Sequence, residues 1–132
     1  MIKKINHIGI IVPDVEAGIQ MFRDGMGMQF LRLEILPDWN SKIAFFQCGE
    51  VLIELVEPTG ESDGMRFLRE RGGGLHHIAY EVDDINEAYK SAKTHFAVKT
   101  ETPVPGAGDS KVFFLDEKTL LNVITEYVEP KE

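Results

Sequence analysis

Four residues of this chain have the types and spacing to hold a divalent metal: His7, Glu54, His77 and Glu126. They fall in two copies of one pattern. His7-Ile8-Gly9-Ile10-Ile11-Val12-Pro13-Asp14 is echoed by His77-Ile78-Ala79-Tyr80-Glu81-Val82-Asp83-Asp84, and Glu54-Leu55-Val56-Glu57-Pro58 by Glu126-Tyr127-Val128-Glu129-Pro130. His7 precedes Glu54 by 47 positions and His77 precedes Glu126 by 49. An internal repeat constrains the whole fold, and this one also duplicates an imidazole and a carboxylate. A lone strand His is ordinarily a packed or solvated residue; recurrence of both residue types at equivalent places points to a ligand set. Mixed nitrogen and oxygen donors suit Zn, Ni, Co, Mn or Fe(II), whereas Mg and Ca prefer oxygen alone. Such an ion with open positions could take a substrate carbonyl and, as a Lewis acid, stabilise an enolate formed by proton abstraction beside it. His76 adjoins His77, but the repeat aligns His77 with His7. His95 closes an expected helix, where a cation is favoured by the dipole, and reads as solvated.

These donors need strands to position them. Ile5 to Val12 is rich in β-branched residues and reads as a buried strand ended by Pro13-Asp14. Asp14 is the expected cap of a helix from Val15 to about Asp24, with Val15, Ile19 and Phe22 on one face and Gly25 and Gly27 closing it. Strands are expected at Met28–Leu36, Lys42–Gln47 and Val51–Val56, with turns at Pro37-Asp38-Trp39-Asn40 and Gly49-Glu50. A polar link from Pro58 to Gly64 and a short helix from Met65 to Arg71 lead to Gly72-Gly73-Gly74. The order then restarts: strand Leu75–Val82, a helix from Ile85 to about His95 capped by Asp83 or Asp84, strand Ala97–Thr102, loop Pro103–Gly108, and strands Lys111–Leu115 and Leu121–Val128. Pro130-Lys131-Glu132 is expected to fray. The fold class is α+β: two tandem βαβββ modules forming a single curved sheet around a metal cleft. Residues 1–132 are expected to make a single domain, with module 1 at about 1–58, a link at 59–72 and module 2 at about 73–132. Alternation puts Glu54 on a face with Leu52 and Val56, and Glu126 with Ile124 and Val128; a carboxylate in such company is costly unless paired or metal-bound.

Composition narrows the functions. With 132 residues and 43% hydrophobic content, the chain can bury a core. Its net charge of −8 argues against nucleic acid as a partner, while a few local Lys or Arg suffice for a small anionic substrate. Cys48 is the sole cysteine, so no disulfide framework is expected, and it reads as a small buried hydrophobe. No apolar run approaches the roughly 20 residues that span a bilayer. Met1-Ile2-Lys3-Lys4 does not read as a signal peptide, so the cytoplasm is the expected location.

The duplicated strand-helix-three-strand unit with its His and Glu residues resembles the vicinal oxygen chelate superfamily, and in particular the methylmalonyl-CoA epimerases. The resemblance is carried by His7 to Asp14, Ile53 to Pro58, Gly72 to Asp84, and Pro105-Gly106-Ala107-Gly108 before Lys111 to Leu115, and it extends over almost the whole chain. It implies an acyl-CoA substrate inverted at C2, a homodimer, and one divalent ion (Co, Ni, Zn or Mn) held by His7, Glu54, His77 and Glu126. It further implies that Glu126 is both ligand and base. Some members carry a separate acidic residue on the third strand, where this chain has Lys42-Ile43-Ala44-Phe45-Phe46. The opposite-face acid is then Glu54 by symmetry, Glu34, or a water. Asp116-Glu117 and Leu121-Asn122 also replace a His-Pro and a Gly-Gly pair common in the family. Glyoxalase I, with the same donor types, and a metal-free binding protein of the same fold are the alternatives.

Overall fold

In the computed structural model, which describes residues 1–131, β1 (Ile2–Ile11) leads through α1 (Val15–Ile19) to β2 (Gln29–Leu36), β3 (Ser41–Cys48) and β4 (Val51–Pro58). Helix α2 (Asp63–Arg71) precedes a second series: β5 (Gly74–Val82), α3 (Ile85–Lys93), β6 (Val104–Pro105), β7 (Lys111–Phe114) and β8 (Thr125–Glu129). The fold is α+β, with one eight-stranded mixed sheet in the order β2-β3-β4-β1-β5-β8-β7-β6. In each βαβββ series the first strand pairs in parallel with the last, β1 with β4 and β5 with β8; the remaining steps are antiparallel. The chain groups into two compact units. One is His7–His76; the other joins Met1–Asn6 to the chain from His77 onward.

In the unit His7–His76, α1 covers one sheet face. Val15 and Ile19 pack on Ala44, Phe46 and Leu55, with Ile10, Phe22, Phe30 and Leu33 around them. Asp14, in an extended conformation, accepts the backbone N–H of Glu16 and Ala17 at 3.0 and 3.2 Å, as its cap role requires. The expected helix through Asp24 continues as a wider π-helical segment, Gln20–Gly25, at whose end Met26 N–H reaches the Met21 carbonyl five residues back (3.0 Å). Helix α2 starts earlier than the apolar residues suggest, because the Ser62 hydroxyl accepts from Met65 N–H at 3.1 Å. It stops at Gly72, which takes the left-handed conformation (φ +78).

In the other unit, Ile85, Ala88, Tyr89 and Ala92 of α3 pack on Val82, Phe113 and Leu115. Tyr89 meets Phe113 edge-on at 5.2 Å and Phe113 stacks on Tyr127 at 4.7 Å. The helix ends at Lys93 rather than His95, with Thr94 as its C-cap. Three expectations are corrected. Ala97–Thr102 is not a strand: only Val98 bridges to Leu115, and the strand paired with β7 is Val104–Pro105, inside the expected loop. Side chains take up the backbone there, as Tyr89 Oη donates to the Thr100 carbonyl at 2.5 Å and the Thr100 hydroxyl donates to the Thr102 carbonyl at 2.7 Å. The last strand begins at Thr125 rather than Leu121, because Leu121 and Asn122 form a left-handed turn (φ +54 and +63). Cys48 is exposed at the end of β3, where Gly49-Glu50 turn the chain, and is not a core residue. At the C-terminus Lys131 Nζ lies 3.4 Å from Asp109, and Glu132 lies outside the described residues. Among the described residues no helix is long and apolar enough to cross a membrane.

Gly73 joins α2 to β5 at φ +104, and a Cβ there would meet the Ile11 carbonyl oxygen at 2.7 Å. Both the conformation and the contact exclude a side chain. Gly73→Ala is expected to cost about 1–3 kcal/mol, read as a lower urea midpoint at unchanged slope; an unshifted midpoint would refute this account of the junction.

Candidate functional site

Register places the first pair of donors. In the parallel β1–β4 ladder His7 lies opposite Leu52 and Gly9 opposite Glu54. Directly opposed residues share a face and alternate residues repeat it, so His7 and Glu54 point to the same side. That side is opposite the one covered by α1, whose contacts are with Ala44, Phe46 and Leu55. His7 Nδ1 lies 3.1 Å from Glu54 Oε2, and both residues are buried, at 5% and 6% exposure. Across the antiparallel step Glu54 faces Phe45, which is itself buried.

The second unit repeats the plan. Ala79 lies opposite Glu126 in the parallel β5–β8 ladder, and Phe114 lies opposite Glu126 in the antiparallel β7–β8 ladder. His77 Nε2 is 3.1 Å from Glu126 Oε1, and both side chains are 8% exposed. The His77 ring meets Phe114 edge-on at 5.6 Å. In each unit, then, the carboxylate has a residue with little or no side chain on its parallel side (Gly9 or Ala79) and a phenylalanine on its antiparallel side (Phe45 or Phe114). The small residue leaves room beside the carboxylate, and the ring gives it an apolar wall.

The four sequence-predicted donors are therefore brought together as His7 with Glu54 and His77 with Glu126. Their chemistry fits a divalent cation. A carboxylate taken out of water is unfavourable unless a counter-charge or donor meets it, and buried imidazole with carboxylate is a donor set for first-row transition ions. His76 is placed elsewhere, half-buried and edge-on to Phe67 of α2 at 4.8 Å. His95 is exposed just beyond α3, as expected. Glu34 sits on β2 and accepts from Arg32 Nε at 2.7 Å.

Two functional carboxylates escaped sequence reasoning. Glu57 Oε1 accepts the backbone N–H of Val15, and Glu129 Oε1 that of Ile85, each at 2.9 Å. Each bond ties the strand that carries Glu54 or Glu126 to the first residue of its helix, where a negative charge also meets the positive end of the helix dipole. The signal was in the repeat: each lies three residues after a donor glutamate, hence on the opposite face of its strand.

The chain matches the glyoxalase/bleomycin resistance protein/dioxygenase superfamily over residues 6–114. It is 33% identical over 130 residues to an ethylmalonyl-CoA/methylmalonyl-CoA epimerase of Cereibacter sphaeroides, covering 96% of this chain and 97% of that one. Among solved structures it is similar to the methylmalonyl-CoA epimerase of Mycobacterium tuberculosis, with a TM-score of 0.94 at 27% identity, covering 99% of this chain and 90% of that one. It is also similar to a Streptomyces coelicolor methylmalonyl-CoA epimerase variant in complex with 2-nitronate-propionyl-CoA, with a TM-score of 0.92 at 26% identity and 100% of both chains covered.

Proposed function

The chain belongs to the glyoxalase/bleomycin resistance protein/dioxygenase superfamily and, within it, to the methylmalonyl-CoA epimerases, and from that premise we propose that it inverts C2 of methylmalonyl-CoA by removing and returning a proton. The observation that carries this reading is the duplicated His–Glu pair, buried at 3.1 Å in each unit on the same plan of neighbouring residues. His7, Glu54, His77 and Glu126 are the proposed ligands of one divalent Co, Ni, Zn or Mn ion, which when bound would supply Lewis-acid polarisation of the thioester carbonyl and so acidify C2.

The protein's own groups do the rest. Glu126 accepts the C2 proton from one face; Glu54 returns a proton to C2 on the other. Roles exchange when the opposite enantiomer is the substrate. Gly9 and Ala79 give each carboxylate space to move, and Phe45 and Phe114 keep water from its flank. The tie from Glu57 to Val15, and its counterpart from Glu129 to Ile85, hold the two ligand-bearing strands against their helices. The working protein is proposed to be a cytoplasmic homodimer in which residues 1–132 act as one functional domain. Its long outer strand β2, with Ile35 at 63% exposure, is the kind of sheet edge that proteins cover by pairing.

Separate measurements of metal content, proton exchange, substrate choice and mass test this reading. Untagged protein is expected to bind one equivalent of metal per chain, and His77→Ala to lose it; elemental analysis showing no metal after loading would remove the ligand assignment. Glu126→Gln is expected to remain folded yet to slow C2 proton exchange in heavy water by roughly 10²–10⁴-fold, the usual loss with a general base. Glu54→Gln should stop net epimerisation while leaving proton wash-out from one enantiomer. Near wild-type exchange by a metal-loaded Glu126→Gln protein would assign the base to another group, and turnover of a methylglyoxal–glutathione adduct instead of methylmalonyl-CoA would favour the glyoxalase reading. Sedimentation is expected to give close to double the 14.9 kDa of one chain; a monomer at micromolar concentration would contradict the dimer.

A further inference from the structure

Strand β2 contains one irregularity, and it re-aims a cation. Phe30 lies opposite Phe46, but the register shifts between Phe30 and Arg32, so Arg32 lies opposite Phe45. Phe30 accordingly packs on the helix-covered face, its ring 5.4 Å from Phe46. Strict alternation would put Arg32 on that same face. The bulge at Leu31 turns it to the other one, and bulges beside active sites commonly redirect a side chain in this way. The ladder then reads Arg32, Phe45, Glu54, Gly9 straight across β2, β3, β4 and β1. Arg32 thus shares the face of the His7–Glu54 pair, two strand spacings or about 10 Å from Glu54 along the sheet.

Its guanidinium lies over Phe45, the residue between it and Glu54, with its carbon 4.0 Å from the ring centre. Nε is engaged by Glu34 at 2.7 Å, which fixes the plane of the group. Its two terminal nitrogens make no hydrogen bond to the described residues, and the side chain is 46% exposed. Lys42, the other cation on β2 to β4, stands opposite Glu57 on the far face. In a chain of net charge −8, Arg32 is therefore the positive group on this face of these strands. A guanidinium held by an ion pair and a ring, with its fork open, is suited to a planar anion taken bidentately.

The geometry points to Arg32 as the residue that selects substrates bearing a free carboxylate on the acyl group, receiving that carboxylate while the thioester end lies toward His7 and Glu54. This rests on the epimerase reading and adds to it the basis of acyl selection. The test separates the two. Binding of malonyl-CoA and acetyl-CoA, which differ by the carboxylate, is measured by calorimetry on metal-loaded wild type, Arg32→Met and Arg32→Lys. Wild type should prefer malonyl-CoA, and Arg32→Met should lose about 10- to 100-fold of that preference, the usual worth of a hydrogen-bonded charge, while acetyl-CoA affinity stays within about twofold. Arg32→Lys should retain only part of the preference, because a point charge replaces the fork. With methylmalonyl-CoA, KM should rise more than kcat falls. A preference that survives Arg32→Met overturns the proposal, as does an equal loss for both thioesters, which would place Arg32 on the CoA moiety. Absence of proton exchange in the wild type would instead overturn the epimerase reading.

Discussion

A carboxylate held against an imidazole in an apolar sheet face is the interaction on which the rest of this structure depends. Desolvation makes an isolated buried carboxylate unfavourable, so Glu54 and Glu126 can occupy their positions only because a partner is delivered to 3.1 Å. Delivery depends on the parallel pairing of the first and last strands of each βαβββ series, since a slip of one residue would turn every side chain of a strand to the other face. The helix between them completes the crossover and is fastened at its first residue by Glu57 or Glu129. Two glutamates three positions apart thus do opposite things: one faces the site and one the helix.

Much of this could be read from residue order. The repeat located the two His–Glu pairs, and period-two patterning with buried neighbours anticipated their face. Asp14 and Asp84 cap the helices as their sequence context suggests. What could not be read depended on partners distant in the chain. Ala97–Thr102 has the composition of a strand, but the Tyr89 hydroxyl, coming from α3, claims the Thr100 carbonyl. Leu121 and Asn122 look like strand residues, yet the N–H of Asn122 is drawn back to the Glu117 carbonyl at 2.8 Å, which holds the left-handed turn. Cys48 seemed core-like beside Phe45 and Phe46, but the hairpin begins at the next residue. The facing of Arg32 was hidden for the same reason: a bulge is a property of two paired strands and leaves no periodic trace in either one alone.

The units also differ where the repeat would make them alike. Ile11 follows His7 by four positions, and Glu81 stands at the matching place after His77. Glu81 accepts from Asn6 at 2.9 Å and lies near Lys3 at 3.7 Å, so this carboxylate ties β1 to β5. The two copies share the His–Glu plan, but one carries a structural ion pair where the other carries an aliphatic residue.

The extra residue in β2 carries an evolutionary consequence. Glu54 and Glu126 belong to inner strands, where a length change would break the His–Glu pairing. β2 lies at the sheet margin with β3 as its partner, so gaining or losing one residue there reverses which of its side chains share the face of the His7–Glu54 pair and leaves the strands that carry Glu54 and Glu126 in register. Sequence comparisons that score only substitutions at aligned columns would pass over such a change.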